Sequence, residues 1–530
     1  MDKTLTGPFK GRSVTVVQDL SLDEQWYLYR KTAEIKKAIL SGQDLSSYKI
    51  NDPRLAVYLL FLEDSTRTKE SFRNAALFHN VTVNIFDANS SSVKKNESLS
   101  DTMKMLVGYS PASLFIIRST QEGVCRHMEE FIGRYTEKLS LPMAPFLNAG
   151  DGKHEHPTQE FLDEFTFLEY QSWDRSEIHI VLVGDLFYGR TVHSKADGLK
   201  IFKRVKVDLI APQELALPSY YEEKMLEAGF QIRKFESIDG YLEQKDVAPI
   251  WYFTRLQLER MGDEVLEKMD RLRKAVTVDR RHLDRLPSRV KFFHPLPQNR
   301  TSPTIPEFMA ELELNGWDEQ SRNGYFTRIT LIGMVGGKLG EDFTGKSVDI
   351  QGVEDEFIEE IPVLNLSQEK EGEFKTGIKR IDDGVVIDHI GRGLQVPAIW
   401  KLIDKIRRNL GLDYLSGHGV FASKNVESIK GIISLPNILT LDERKIKMLA
   451  ALSPGCTLNM IQGKKVQKKF RLHMPPRIYN FAEVSCRNEN CISHPRLCEP
   501  VKAEFIREGR DSFICRYCDR VHTYQEIWTT

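Results

Sequence analysis

The sequence predicts two α/β lobes on doubly wound parallel sheets, then a linker, a smaller α+β domain and a metal-binding β tail. Three observations predict this. Short apolar runs alternate with amphipathic stretches from Arg54 to about Leu339. The pattern lapses into a Gly-rich, then acidic, segment and resumes at Gly377. Five of the seven cysteines crowd into Cys486–Cys518.

Leu55–Glu63 (LAVYLLFLE) reads as a buried strand. The following STRTKESFRNAALFHN has helical periodicity and a Ser/Thr start. VTVNIFDAN, SLFIIRST, IHIVLVGDL, KVDLIAP and KFFHPLP are further strand candidates, each ending in polar or Gly/Pro residues. Their alternation with helical stretches implies parallel pairing, which puts ligands at the carboxyl ends of the strands. The length fits two lobes dividing near Asn148–His156, residues 1–150 and 151–317. Residues 339–376 read as a linker with one short strand expected at Ile361–Leu366. Residues 377–481 carry strand-like GVVIDHI and GIISLP and helix-like VPAIWKLIDKIRRNL and LDERKIKMLAALSP, and residues 482–530 form the cysteine-rich tail.

Composition excludes some partners. With 74 basic and 75 acidic residues the formal net charge is −1, so no global field favours nucleic acid or an anionic membrane. Apolar runs fall far short of the roughly 20 residues of a membrane span. The N-terminus lacks an apolar signal region, so a soluble, cytoplasmic chain is expected. Any anion site must be built locally.

Such a site has candidates. Ser65-Thr66-Arg67-Thr68 stands where a strand gives way to a helix, and free N–H groups and the helix dipole there suit a phosphate. The same residues would serve as a capping box with Glu70. More polar clusters sit at strand ends: Ser91–Lys95, Arg118, Asn148–Gln159 with its His156-Pro turn, Gly184–His193 around Arg190, Thr254–Arg260 and His294–Pro297.

STRTKESF, VKKNESLSDT, HPTQEFLDEFT, VGDLFYGRTVHS, FTRLQLER and HPLP resemble the catalytic chain of the aspartate carbamoyltransferases, in that family's order, over most of residues 1–340. HPLP with TRLQ distinguishes the chain from ornithine carbamoyltransferases, which usually carry HCLP and an SMG-type loop. The resemblance implies the aspartate/ornithine carbamoyltransferase fold. It also implies transfer of a carbamoyl group from carbamoyl phosphate to L-aspartate, early in pyrimidine biosynthesis. Carbamoyl phosphate is already activated, so such a site needs positioning and charge stabilisation rather than a covalent nucleophile or a catalytic cofactor.

By that resemblance Ser65, Thr66, Arg67, Thr68, Ser91 and Arg118 hold the phosphate, while Thr68, Arg118 and His156 surround the carbonyl oxygen. Gln159 and the backbone carbonyls of Leu296 and Pro297 orient the carbamoyl group. Arg190, Arg255 and Gln257 bind aspartate, and Lys95 touches both substrates. Glu63 and Arg260 are expected to bridge the lobes in a closed form. The Ser91–Lys95 loop implies a homotrimer with shared active sites. The sequence departs from the family after HPLP, where Gln298 stands in place of the usual arginine, followed by Asn299 and Arg300, and Arg300 is a candidate to supply the charge. Two other readings stand beside this one: a carbamoyltransferase for another amine, opposed by TRLQ, and a silent nucleotide-sensing scaffold, opposed by the intact cluster set.

Cys486-x4-Cys491-x23-Cys515-x2-Cys518 supplies two close thiolate pairs, suited to one structural zinc with no open position. Cys498, His494 and His522 are spare candidates. CRNENCISH and CRYCDR resemble the zinc domain of the aspartate carbamoyltransferase regulatory chain, and GVVIDHI resembles its nucleotide domain. By resemblance Asp388, His389, Lys430, Asn459 and Lys469 form an effector site, although GIISLPN departs from the family pattern.

Overall fold

The computed structural model describes residues 8–86, 97–257, 268–298, 303–348, 356–363, 381–412, 417–422, 429–509 and 511–528. Ser91, Lys94, Lys95, Arg260, Asn299 and Arg300 lie outside the described residues. By contacts the chain divides into two units. One is Met1–Asp349 with Asn490–Ile492 and Leu497–Val501; the other is Ile350–Glu489, Ser493–Arg496 and Lys502–Thr530.

The first unit holds two parallel sheets. Strands β1 (Leu55–Phe61), β2 (Thr82–Phe86), β3 (Ala112–Ser119) and β4 (Phe146–Asp151) lie in the order β2-β1-β3-β4. All neighbours are parallel, with Leu60 opposite both Phe86 and Ile117. Strands β5 (Ile178–Val183), β6 (Val205–Ile210), β7 (Gln231–Phe235), β8 (Ile250–Phe253) and β9 (Lys291–Phe293) lie in the order β7-β6-β5-β8-β9, again parallel. The central strands β1, β3, β5 and β8 are buried almost throughout, which is why they read as unbroken apolar runs. Phe146–Asp151, absent from the strand candidates, completes the first sheet.

Helices α1 (Leu22–Leu40), α2 (Thr66–Phe78), α3 (Leu99–Val107), α4 (Val124–Leu139) and α5 (Pro157–Tyr170) belong to the chain before β5. Helix α6 (Trp317–Val335) follows β9 and returns to α1, α2 and α5. Thr330 accepts a hydrogen bond from Thr32 at 3.0 Å, and His79 Nε2 meets the Ile329 carbonyl at 2.8 Å. Ser21 and Glu24 form a reciprocal capping box at the start of α1. Pro157 sits at the first position of α5, where its missing N–H costs nothing.

In the second unit one antiparallel sheet runs β10-β15-β14-β11-β13-β12, from strands β10 (Ile358–Glu360), β11 (Gly384–Ile390), β12 (Gly417–Ala422), β13 (Ile429–Pro436), β14 (Thr457–Gln462) and β15 (Lys465–Leu472). Helices α7 (Val396–Leu410) and α8 (Glu443–Leu452) accompany it. The strand expected at Ile361–Leu366 is corrected: Ile358–Glu360 is the strand, paired with β15. Pro362 has no N–H to extend the ladder. Residues 364–366 lie outside the described residues. Short antiparallel strands between Arg477 and Thr523 build the tail. Among the described residues no helix is long and apolar enough to cross a membrane.

Candidate active site

The carboxyl ends of β1, β3, β4, β5, β8 and β9 face one cavity of about 580 Å³. Ser65, Thr66, Arg67, Thr68, Arg118, His156, Gln159, Arg190, Arg255, Gln257, Leu296 and Pro297 all line it. These are all the described residues among the candidates for the two substrates; Ser91 and Lys95 lie outside the described set. Parallel strands end on the same side, so their polar turns meet however far apart they are in sequence.

Ser65 is the N-cap of α2, in extended backbone, yet its side chain makes no capping hydrogen bond. The capping-box alternative therefore does not hold, and the helix start faces the cavity with its own N–H groups and hydroxyls. Arg118, at the end of β3, donates from Nη1 to the Ala149 carbonyl at 3.1 Å. Its Nε lies 3.3 Å from Glu63 Oε2, which is also 4.0 Å from Arg190 Nη1. Arg190 Nη1 donates to the Gly152 carbonyl at 2.6 Å. Glu63 thus stands between an arginine of the first sheet's lobe and one of the second's. Gln257 donates through its backbone N–H to Asp185 at 3.2 Å and through Nε2 to the Tyr188 carbonyl at 2.9 Å, fixing the loop after β8.

Five guanidinium groups line the cavity, those of Arg67, Arg118, Arg190, Arg255 and Arg328, against the carboxylates of Glu63 and Asp64. The site is therefore cationic in a chain of almost no net charge. Burial, with Arg118, Arg190 and Arg328 nearby, pushes His156 well below the usual histidine range. His294 falls to about 3 through burial and the nearby Arg67 and Arg255. Both imidazoles are neutral at pH 7 and can donate a hydrogen bond without adding charge. His294 Nδ1 accepts from the Leu296 N–H at 2.8 Å and so shapes its own loop.

Other lining residues lie outside the polar clusters marked in the sequence, among them Gln320, Ser321 and Arg328 on α6. Arg328 is the most informative. It is buried on α6, donates to Ser71 Oγ and lies 4.8 Å from the Phe72 ring centre. Burial and Arg118 pull it down to about 9, which still leaves it charged at pH 7. Its signal is an arginine directly before the apolar stretch ITLIGMV, in a helix buried on nearly every side.

In the antiparallel sheet of the second unit Asp388 and His389 end β11 at a bulge, where His389 takes a φ of 63°. Lys430 Nζ donates to Asp388 at 2.9 Å and lies 3.4 Å from His389 Nε2. His389 Nδ1 meets Thr457 Oγ1 at 3.1 Å. Asn459 donates to the Val386 carbonyl at 3.2 Å and pairs in register with Lys469. All five effector candidates therefore sit on adjoining strands of one sheet.

In the tail Cys486, Cys491, Cys515 and Cys518 are buried with their sulfurs within 4.8 Å of one another. Cys486 and Cys518 sulfurs are 3.7 Å apart. A tetrahedral zinc site with Zn–S of about 2.3 Å requires sulfur separations of about 3.8 Å, so the residues fit that ion. Cys498 is exposed, and neither it nor His494 or His522 belongs to the cluster.

Comparison with known proteins gives four family matches. Residues 12–169 match the "Aspartate/ornithine carbamoyltransferase, carbamoyl-P binding domain" and residues 176–334 the "Asp/Orn binding domain" of the same family. Residues 376–473 match the "Aspartate carbamoyltransferase regulatory chain, allosteric domain" and 476–528 its "metal binding domain". The chain is 50% identical to "Protein PyrBI" of Thermotoga maritima, over 98% of this chain and 99% of that one. It is likewise 50% identical to "Protein PyrBI" of Treponema denticola, over 98% of each. Among solved structures, aspartate transcarbamoylase of Trypanosoma cruzi in complex with N-(phosphonacetyl)-L-aspartic acid aligns with a TM-score of 0.53 and 28% identity. That alignment covers 62% of this chain and 97% of that one.

Proposed function

The chain belongs to the aspartate carbamoyltransferase family, in the form that joins catalytic and regulatory chains in one polypeptide, and from this premise we propose how its cavity works. The reaction is carbamoyl phosphate plus L-aspartate to N-carbamoyl-L-aspartate plus phosphate, a step of pyrimidine biosynthesis. The start of α2, through Ser65–Thr68, and Arg118 bind the phosphate, joined by Ser91 and Lys95. Arg190, Arg255 and Gln257 take the two carboxylates of aspartate, where forked guanidinium groups suit bidentate pairing. Thr68, Arg118 and neutral His156 donate to the carbonyl oxygen as it becomes negative. Gln159 and the carbonyls of Leu296 and Pro297 hold the carbamoyl NH2.

The neutral amine of aspartate attacks the carbamoyl carbon. A C–N bond forms, the C–O bond to phosphate breaks, and the amine proton leaves on the phosphate. The product anions gain the stabilisation the arginines already provide. The observation that carries this reading is the cavity itself, where the twelve described candidates, four of them arginines, meet a fifth guanidinium group from Arg328.

A structural zinc held by Cys486, Cys491, Cys515 and Cys518 cross-links the tail when bound. Metal binding at such a site couples directly to folding of the tail. Further readings follow from family membership. Residues 1–150 are a carbamoyl phosphate domain to which a helix of about 318–338 returns, and 151–317 an aspartate domain. Residues 339–376 are a linker, 377–481 a nucleotide domain and 482–530 the zinc domain. A purine or pyrimidine nucleotide binds at Asp388, His389, Lys430, Asn459 and Lys469 and alters the response to aspartate. The chain works as a cytoplasmic homotrimer whose Ser91–Lys95 loop reaches a neighbour's cavity.

The test is direct assay of N-carbamoyl-L-aspartate from both substrates, with aspartate saturation curves measured with and without saturating ATP, CTP or UTP. Product formation is expected, with a severalfold shift of the curve for at least one nucleotide. No product would refute the catalytic reading; product with no shift would refute only the regulatory one.

A further inference from the structure

One buried carboxylate connects the two sides of the cavity that face the carbamoyl group. Asp163 follows Gln159 by one turn of α5 and is wholly buried. Its Oδ1 accepts from Gln159 Nε2 at 2.8 Å and from Gln320 Nε2 at 2.7 Å. Its Oδ2 accepts from Tyr252 OH at 2.7 Å and Lys195 Nζ at 3.0 Å. Gln320 in turn accepts, through Oε1, the backbone N–H of His294 at 2.9 Å. That N–H begins the loop carrying Leu296 and Pro297. Asp163 therefore sits behind both Gln159 and the His294–Pro297 loop, although it does not itself line the cavity.

The direction of these bonds has a chemical consequence. All four partners donate to Asp163, which acts here only as an acceptor. It must hold Gln159 by the NH2 end, which leaves Oε1 for the cavity. An oxygen there welcomes a donor. The carbamoyl group presents an NH2, whereas an acetyl group of nearly the same shape presents a methyl.

Asp163 shares one buried cation with two glutamates. Lys195, fully buried, lies 2.7 Å from Glu160, 3.0 Å from Asp163 and 3.5 Å from Glu164. Three carboxyl groups share one ammonium group. Burial raises Glu160 and Glu164 above the usual carboxylate range, against the pull of Lys195. Gly198 makes room for this arrangement: a Cβ there would meet Glu160 Oε1 at 2.0 Å.

We propose that Asp163 is a positioning residue that sets acyl specificity, turning Gln159 and, through Gln320, the His294–Pro297 loop so that the cavity prefers an acyl phosphate bearing NH2 to one bearing CH3. The proposal rests on the reading of Gln159 as a carbamoyl contact.

The test uses the full zinc-loaded chain and two donors, carbamoyl phosphate and acetyl phosphate, the second followed as N-acetylaspartate or as a competitive inhibitor. The readout is the ratio of the two kcat/KM values, or of KM to the acetyl phosphate inhibition constant. Asp163→Asn offers Gln159 an NH2 as well as an oxygen, so the ratio should fall tenfold or more. A merely structural role lowers both donors by a common factor, and a ratio within about threefold of wild type would overturn the proposal. Gln159→Leu separates the two ideas. If it leaves the ratio intact, the reading of Gln159 fails. If it lowers the ratio while Asp163→Asn does not, only the role of Asp163 fails. Should Asp163→Asn not fold, Gln159→Glu decides. That carboxyl must be protonated to donate to Asp163, so its activity should fall with rising pH along a limb the wild type lacks. A wild-type pH profile in that variant would overturn the proposal.

Discussion

A Cβ on Gly150 would stand 2.9 Å from Arg118 Nη1, so the guanidinium packs into space that only a glycine leaves open. Gly150 also takes a φ of +112°, a region other residues adopt only with strain. Arg190 closes on the same point, its Cζ 3.3 Å from that position. A glycine at the end of β4 thus lets arginines from both lobes converge.

Gly150→Ala should therefore lose both stability and activity. The backbone strain alone costs on the order of 1–3 kcal/mol. Displacing Arg118 should lower kcat/KM by tenfold or more. Thermal unfolding and steady-state kinetics check the two effects. A stable variant of normal activity would mean that the arginines do not need this gap.

The active site should be shared between subunits. Lys95→Ala and Arg67→Ala chains, each inactive alone, should regain activity when mixed, since a mixed trimer can contain one intact site. The measurement is activity after co-refolding, with mixed oligomers verified by mass. No recovery in verified mixed trimers would contradict sharing.

Removing one thiolate should undo the tail. Cys515→Ala leaves three sulfurs in a site built for four, and metal analysis should fall from one zinc per chain toward none. Local proteolysis should then begin after residue 482, while the two parallel sheets, with cores of their own, stay folded. A zinc-free tail that resists protease would contradict this.

Much of this was legible in the sequence for a simple reason. Buried parallel strands read as apolar runs, and their polar ends, STRT, Arg118, HPTQ and HPLP, mark the cavity rim directly. The rest depended on tertiary packing. Asp163, Glu160 and Glu164 look like the solvated face of a helix until α5 is seen to be buried almost throughout. Lys195 has no partner nearby in sequence. Arg328 comes from a helix about 150 residues beyond α5, brought back by packing on α2 and α5. Phe146–Asp151 ends in Asn-Ala-Gly-Asp, which resembles a turn, yet it pairs with β3 through a shifted register.

Buried histidines should make stability pH-dependent. His127 is drawn down to about 4, chiefly by burial and secondarily by Arg134. Its folded value lies below its unfolded value of about 6.5. Below pH 6.5 the unfolded chain therefore binds the extra proton. The stability His127 contributes is full above that pH and is lost as pH falls toward 4. The gap in unfolding free energy between wild type and His127→Gln should narrow by about 2 kcal/mol between pH 7 and pH 5. A gap unchanged with pH would show that His127 titrates in the fold as it does in the unfolded chain.

The central claim is that this cationic cavity stabilises the charge that develops on the carbamoyl oxygen. Steady-state formation of N-carbamoyl-L-aspartate by Arg118→Ala tests it most directly. Loss of a single preorganised donor to such an oxygen costs on the order of 10²–10³ in kcat. The account predicts a loss of at least that size, with unfolding temperature little changed. An Arg118→Ala chain within about threefold of wild-type turnover would contradict it.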